Sequence, residues 1–316
     1  MEYNAIGRSS LRVSRIGMGG LAFGGHYGDI ERGDVIRTVR AAVEKGVTFF
    51  DTSPTYGNGL AETFLGEALG SNRNDVVIAT KNGAGIDSSM TMWRNIDRET
   101  VTQQVENSLR RLRREYIDSY FLYGPDPRSP LGDTMETLEE MRRAGKIRSI
   151  GFCTTEADVV REALQYGHPE FVLAPYNILN RTIEEELIPF CRATNIGILA
   201  CEPFCRGLLL GRIHKNSVFD LADLRVEDKR FRGEGFRQNI EIVNRLRSFA
   251  YQEGFTMMQL ALGWSLQNTL VKVAVCGAKS ATHIEESIAA LEIQLTPEQI
   301  LAIDQIVGED IYQHVE

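Results

Sequence analysis

Three side chains that can hold or move a proton fall at the ends of two apolar segments. Asp51 and Tyr56 lie in GVTFFDTSPTYGNGLAE, residues 46–62, and Lys81 closes DVVIATK. Val47, Phe49 and Phe50 read as a buried strand ending on Asp51. A turn-rich loop then carries Thr52, Ser53, Pro54, Tyr56, Gly57 and Gly59 towards a helix starting near Leu60. A carboxylate at the end of a buried strand needs a partner, because an unpaired buried charge costs several kcal/mol. Lys81 stands at the matching place one strand later. If the two strands are parallel neighbours, Asp51 and Lys81 emerge on one rim with Tyr56 beside them. An ammonium close to a phenol favours phenolate, so Tyr56 is expected to titrate below its usual value of about 10. Such a phenol is a proton donor for a carbonyl oxygen.

The elements that must position these groups alternate along the chain. Core strands are predicted near 14–18, 47–51, 75–80, 117–122, 148–153, 171–175, 197–201 and 271–276, with a helix after nearly every one. Eight such units without a Pro/Gly-rich linker predict one α/β domain over residues 1–316, a closed (β/α)8 barrel. Residues 3–13 read as an N-terminal hairpin over GRSS. Barrel chemistry collects at the C-terminal ends of the strands, where Asp51, Lys81 and Tyr123 fall. Residues 206–236 are too long for a simple connection and read as an ordered lid, with Phe219, Leu221, Phe231 and Phe236 packed among charges. An extra helix pair, Asn239–Ala250 and Met257–Gln267, is expected after it. A last helix begins at Thr296-Pro297-Glu298. GMGGLA, residues 17–22, matches the dinucleotide fingerprint, but no helix opens on its glycines, so a Rossmann unit is not indicated.

Composition narrows the function class. Of 316 residues 43% are hydrophobic and 25% charged, as in ordinary globular proteins. A formal net charge of -8 disfavours nucleic acid and anionic membranes as partners. No apolar run approaches the ~20 residues that span a bilayer, and MEYNAIGRSS lacks the layout of a signal peptide. Five cysteines, Cys153, Cys191, Cys201, Cys205 and Cys276, suit reduced thiols in a cytoplasmic protein. No Cys/His cluster has metal-binding spacing.

GVTFFDTSPTYGNGLAE followed by ATK resembles the signature of the aldo-keto reductase superfamily. The resemblance continues through SLRRLRREYIDSY, IRSIGF, APYN, EPFCRGLLLG, LALGWSLQ and CGAKSATHIEES, nearly the whole chain. It implies NADP(H) as cofactor, a small carbonyl or alcohol as substrate, and either a monomer or a homo-oligomer. By the same resemblance Asp51, Tyr56 and Lys81 are catalytic, and the place of a catalytic histidine falls on Tyr123. Lys279 and Ser280 would take a 2′-phosphate, Glu286 the adenine edge and Arg212 the pyrophosphate. His283 occupies a place where relatives carry Arg or Gln. At the nicotinamide end Cys153, Thr154 and Leu173 stand where relatives have Ser, Asn and Gln. Cys201 replaces a stacking aromatic, for which Phe204 is a substitute. Phe23, Tyr27, Met92 and Trp93 would line the substrate pocket with the lid.

The leading expectation is hydride transfer between nicotinamide and a carbonyl carbon, with Tyr56 as general acid/base and Tyr123 as a second donor. Tyr123, Leu173 and Cys201 keep two alternatives open. One is a redox-neutral dehydratase- or epimerase-like enzyme; the other is a nicotinamide-sensing binding subunit on the same barrel.

Overall fold

The computed structural model describes residues 1–5, 11–70, 76–82, 84–86, 92–126 and 128–308, with backbone alone at 84–86, 92 and 93. Two short strands, β1 (Tyr3–Ala5) and β2 (Arg12–Ser14), pair antiparallel. The turn GRSS between them lies outside the described residues. Then come β3 (Ile16–Gly19), α1 (Arg32–Glu44), β4 (Phe49–Asp51), α2 (Leu60–Leu69) and β5 (Val77–Asn82). A second hairpin, β6 (Ala84–Ile86) with β7 (Met92–Arg94), precedes α3 (Arg98–Leu112). The regular alternation resumes with β8 (Ser119–Tyr123), α4 (Leu131–Arg143), β9 (Ile150–Cys153), α5 (Ala157–Ala163), β10 (Phe171–Pro175), α6 (Leu187–Thr194) and β11 (Gly197–Cys201). The chain ends through α7 (Gly233–Gln252), α8 (Met257–Gln267), β12 (Val271–Gly277), α9 (Ala281–Ala289) and α10 (Pro297–Val307).

Eight strands form a closed parallel barrel in chain order, β3, β4, β5, β8, β9, β10, β11 and β12, with β12 pairing back onto β3. The predicted (β/α)8 barrel is therefore the observed fold, and each predicted core strand overlaps an observed one. Pleating decides what faces the centre, because alternate residues point to opposite sides of a strand. Phe49, Val77, Ala79, Phe121, Phe171, Leu173, Leu199, Val273 and Val275 make one buried cluster inside the barrel, joined at one end by Val13 and Leu11 of the hairpin. Glycines admit its aromatic rings. A Cβ on Gly151 would lie 2.6 Å from Phe121, and one on Gly17 would lie 2.8 Å from Phe49. A larger cluster fills the layer between strands and helices.

One expectation about the helices is corrected. Of the expected pair, α7 is the addition: it packs on α10, which lies beyond the last barrel unit, while α8 packs on β12 and α9 and so occupies the regular seventh helical position. The two helices had looked like a pair because both carry apolar residues at helical spacing. However, α8 is buried nearly all round, whereas α7 buries one stripe. Both α8 and α10 open with a capping box, Thr256 with Gln259 and Thr296 with Gln299.

Candidate active site

The pleat that builds the barrel interior also delivers the site. Two residues beyond Phe49 is Asp51, two beyond Ala79 is Lys81, two beyond Phe121 is Tyr123, and Cys153 and Cys201 continue the same faces of β9 and β11. The barrel stagger lets a residue farther along one strand meet one lower on its neighbour. Asp51 is opposite Ala79 in register, yet Lys81 Nζ donates to Asp51 Oδ1 at 2.5 Å. It also donates to the Thr52 carbonyl at 2.8 Å. Both side chains are buried.

Tyr56 is held by the loop between β4 and α2. Thr52 N–H donates to the Ala79 carbonyl at 2.8 Å, and Tyr56 N–H to the Ser53 carbonyl at 3.1 Å. Gly57, Asn58 and Gly59 take left-handed φ values of 59°, 52° and 88° in succession. Glycine is required at Gly57, because its Cβ would lie 2.8 Å from the Gly24 Cα, and a Cβ on Gly24 would lie 2.4 Å from the Gly57 nitrogen. Backbone against backbone, the loop is locked to the turn after β3. His26, on that turn, accepts the Gly57 N–H at 3.4 Å and stands edge-on to Tyr56, ring centroids 6.1 Å apart. Behind the loop, buried Glu62 in the first turn of α2 accepts from Thr80 Oγ1 at 2.6 Å and from Arg111 Nε at 2.5 Å.

The electrostatics correct one expectation. Burial raises the Tyr56 pKa well above its ordinary value, and Asp51, Cys153 and Cys201 push it further. A hydrogen bond from Tyr123 acts the other way. Burial prevails over the Lys81 ammonium, which donates to Asp51 and the Thr52 carbonyl and stands 5.1 Å from the centroid of the Tyr56 ring. Tyr123 is raised too, again chiefly by burial. Burial raises Asp51 against the pull of Lys81. For Lys81 burial works against the charge, and Asp51 and Tyr123 more than offset it. Burial likewise raises Cys153 to about 11 and puts Cys201 well above its ordinary range, so both thiols keep their protons. His26 is lowered by burial and is neutral at pH 7.

The other predicted residues divide into groups. Arg212 and Glu286 meet at 3.8 Å and border a cavity of about 210 Å³ with Leu210, Met257, Met258 and Ala289. Ser280 caps α9, its Oγ accepting the His283 N–H at 3.4 Å, and His283 Nδ1 accepts the Lys279 N–H at 3.5 Å. Lys279 Nζ donates to the Tyr27 carbonyl at 2.5 Å, which places its ammonium against the loop between β3 and α1. Thr154 Oγ1 accepts the Glu156 N–H at 3.0 Å, and Phe204 is buried at the start of the turn after β11. Phe23 is folded into the core at 1% exposure and opens no face to the rim. Tyr27 is half-buried beneath the Arg225 guanidinium. The side chains of Met92 and Trp93 lie outside the described residues. A larger cavity, about 430 Å³, is bordered by Glu2, Asn4, Arg15 and Gln267 and by none of the predicted site residues.

The residues that sequence reasoning missed order the lid. Asp228 and Arg230 from the lid join Glu202 and Arg206 from the turn after β11 in a closed ionic ring. Arg206 reaches Glu202 and Asp228 at 2.9 and 2.8 Å, and Arg230 reaches them at 2.8 and 2.7 Å. Leu224 N–H donates to the His26 carbonyl at 3.0 Å, carrying the lid across the rim. Phe219, Phe231 and Phe236 stack as expected, but Leu221 is 91% exposed.

A parallel barrel that gathers its ionisable groups beyond the strand C-termini is the frame of the (β/α)8 enzymes. Within that class the chain belongs to the Aldo/keto reductase family, whose sequence pattern matches residues 15–308. It is 34% identical over 289 residues, 90% of this chain and 87% of the relative, to the aldo-keto reductase YhdN of Bacillus subtilis (strain 168). It is 32% identical over 312 residues, 94% of this chain and 95% of the relative, to the NADH-specific methylglyoxal reductase of Escherichia coli (strain K12). Among solved structures it resembles the glycerol dehydrogenase of Gluconobacter oxydans, with a TM-score of 0.87 and 29% identity over 99% of this chain and 96% of that one. The family and these relatives support carbonyl/alcohol oxidoreduction with a nicotinamide cofactor. Among the described residues no helix is long and apolar enough to cross a membrane.

Proposed function

We propose that this chain interconverts a small carbonyl compound and its alcohol with NADP(H), using Tyr56 as the general acid/base. The observation that carries the reading is the convergence of Tyr56 and Tyr123 over the buried Lys81–Asp51 pair at the barrel rim. The residues present fit a nicotinamide dinucleotide. Arg212 and Glu286 border an open cavity, Ser280 leaves the N-terminus of α9 facing outward, and Lys279 supplies a cation beside it. When bound, the nicotinamide supplies or accepts the hydride. This chain's own groups handle the oxygen. Tyr56, protonated through neutral pH, gives its proton to the oxygen as negative charge develops there, since an alkoxide is far more basic than a phenolate. Tyr123 donates to the Tyr56 oxygen and so eases that transfer. Asp51 and Lys81 neutralise each other, so the pair itself adds no net charge beneath the phenols.

NADPH is read over NADH because Lys279 and Ser280 together suit a 2′-phosphate. The second reading, NADH, has two supports: the Escherichia coli relative is named as NADH-specific, and the Lys279 ammonium is already bonded to Tyr27. Titrating the protein with each cofactor by fluorescence quenching separates them. NADPH should bind more tightly, and Lys279→Ala should weaken NADPH about tenfold or more while moving NADH little. Equal loss for both would end the assignment of Lys279 to a 2′-phosphate, and tighter binding of NADH by wild type would favour the second reading.

A further inference from the structure

The rim carries one cation that the mechanism does not use. Arg94 ends β7, and its carbonyl accepts a hydrogen bond from the Arg128 guanidinium. Arg128 is in turn gripped by both oxygens of Asp126, each at 3.0 Å. The end of β7 is thereby fixed to the loop after β8. From there the Arg94 guanidinium lies over Gly124, the residue that follows Tyr123. Its Nη1 is 3.6 Å from the point where a Cβ would stand, and Gly124 has φ +47°. The absence of a side chain at Gly124 is what lets the guanidinium approach the strand end.

The other charges that act on the Cys153 thiol are matched among the described residues. Those acting on the Cys153 thiol are Lys81, Asp51, Glu202 and Arg94. Lys81 is paired with Asp51, and Glu202 with Arg206 and Arg230. Arg94 is exposed and has no carboxylate in ion-pairing distance among the described residues. A cation with no carboxylate partner among the described residues, set over the residue that follows Tyr123, runs against the trend of a chain whose formal net charge is -8. A guanidinium presents paired N–H donors that fit two oxygens of a carboxylate or phosphate, and a neutral substrate would leave them to water.

We propose that Arg94 receives an anionic end of the substrate, so that the preferred substrate is a carbonyl compound carrying a carboxylate or phosphate near its oxo group. The proposal rests on the oxidoreductase reading above and adds the substrate class to it. Arg94 is a specificity residue here and takes no part in the bond changes.

Paired substrates test it. Initial rates are measured for succinic semialdehyde against butanal, and for glyceraldehyde 3-phosphate against glyceraldehyde, with wild type, Arg94→Lys and Arg94→Gln. Wild type should favour the charged member of at least one pair by about tenfold or more in kcat/KM, one charge-assisted contact. Whichever pair shows the preference identifies carboxylate or phosphate. Arg94→Gln should collapse that ratio through KM, and Arg94→Lys should retain part of it. No charge preference in wild type, or an equal fall on both members in Arg94→Gln, overturns the proposal. If neither pair is turned over, the reductase reading fails, and the anion site is judged separately with protein loaded with NADP+, which cannot reduce a carbonyl. Tighter binding of the oxo acid than of the neutral aldehyde, lost in Arg94→Gln, then supports the site; equal binding overturns it.

Discussion

At the scale of single residues, the rim substitutes a phenol for the expected imidazole and leaves both phenols half-buried. Tyr56 and Tyr123 are driven upward by burial, and His26 downward, so no group facing the Tyr56 oxygen titrates between about pH 7 and 9. The kcat/KM profile should therefore be flat across that interval. Tyr123→His introduces a group that titrates near 6.5, and the profile should then break as that imidazole loses its proton with rising pH. Tyr123→Phe removes the donor to Tyr56 and should lower kcat about tenfold, ~1.4 kcal/mol. Wild-type kinetics in Tyr123→Phe would mean that the second phenol only fills space. The residue types were legible in the sequence, and so was their place on the rim. The direction of the Tyr56 shift was not. Sequence spacing put an ammonium near a phenol but could not show that its protons are taken by Asp51 and the Thr52 carbonyl.

At the scale of elements, three short motifs of one pattern hold the loops: Asp126-Pro-Arg128, Asp223-Leu-Arg225 and Asp228-Lys-Arg230. In each the aspartate accepts the backbone N–H and the side chain of the arginine two residues on. The ordered lid is legible from its aromatic residues, but the ionic ring is not, because single ion pairs at this spacing carry little meaning alone. The strands were readable because apolar runs between turn formers leave few alternatives. The bounds of α8, Met257–Gln267, are legible too, but a helix buried all round has little amphipathic pattern to show that it belongs to the barrel layer. The lid ring makes a prediction with a definite sign. Burial alone would raise Glu202 and Asp228, but their arginines hold both below ordinary values. A depressed carboxylate stabilises the fold fully above its unfolded pKa and loses that contribution as pH falls through the folded one. Amide exchange over residues 224–231 should stay slow from pH 7 to 5 and quicken below about pH 4. Asp228→Asn, which breaks contacts worth about 1.5–3 kcal/mol each, should open the same segment about tenfold or more at pH 7. Unchanged protection would show that the aromatic stack, and not the ring, holds the lid.

At the scale of the whole molecule, the barrel interior and the site are one pattern continued. Phe49 leads to Asp51, Ala79 to Lys81 and Phe121 to Tyr123, with apolar residues packing below and reactive ones rising above. That is why the barrel, and the place of Asp51, Lys81 and Tyr123 at its rim, could be anticipated from one chain. The side-chain clasps across the rim depend on contacts between segments far apart in sequence and appear only in three dimensions. The central claim is that this scaffold reduces a carbonyl with a proton from Tyr56. Its most direct test is single turnover with NADPH deuterated at nicotinamide C4, in wild type and in Tyr56→Phe. Wild type should place deuterium on the alcohol carbon. Tyr56→Phe should slow that step by about a hundredfold or more while cofactor affinity stays within a few-fold. Deuterium transfer at the wild-type rate in Tyr56→Phe would contradict the account.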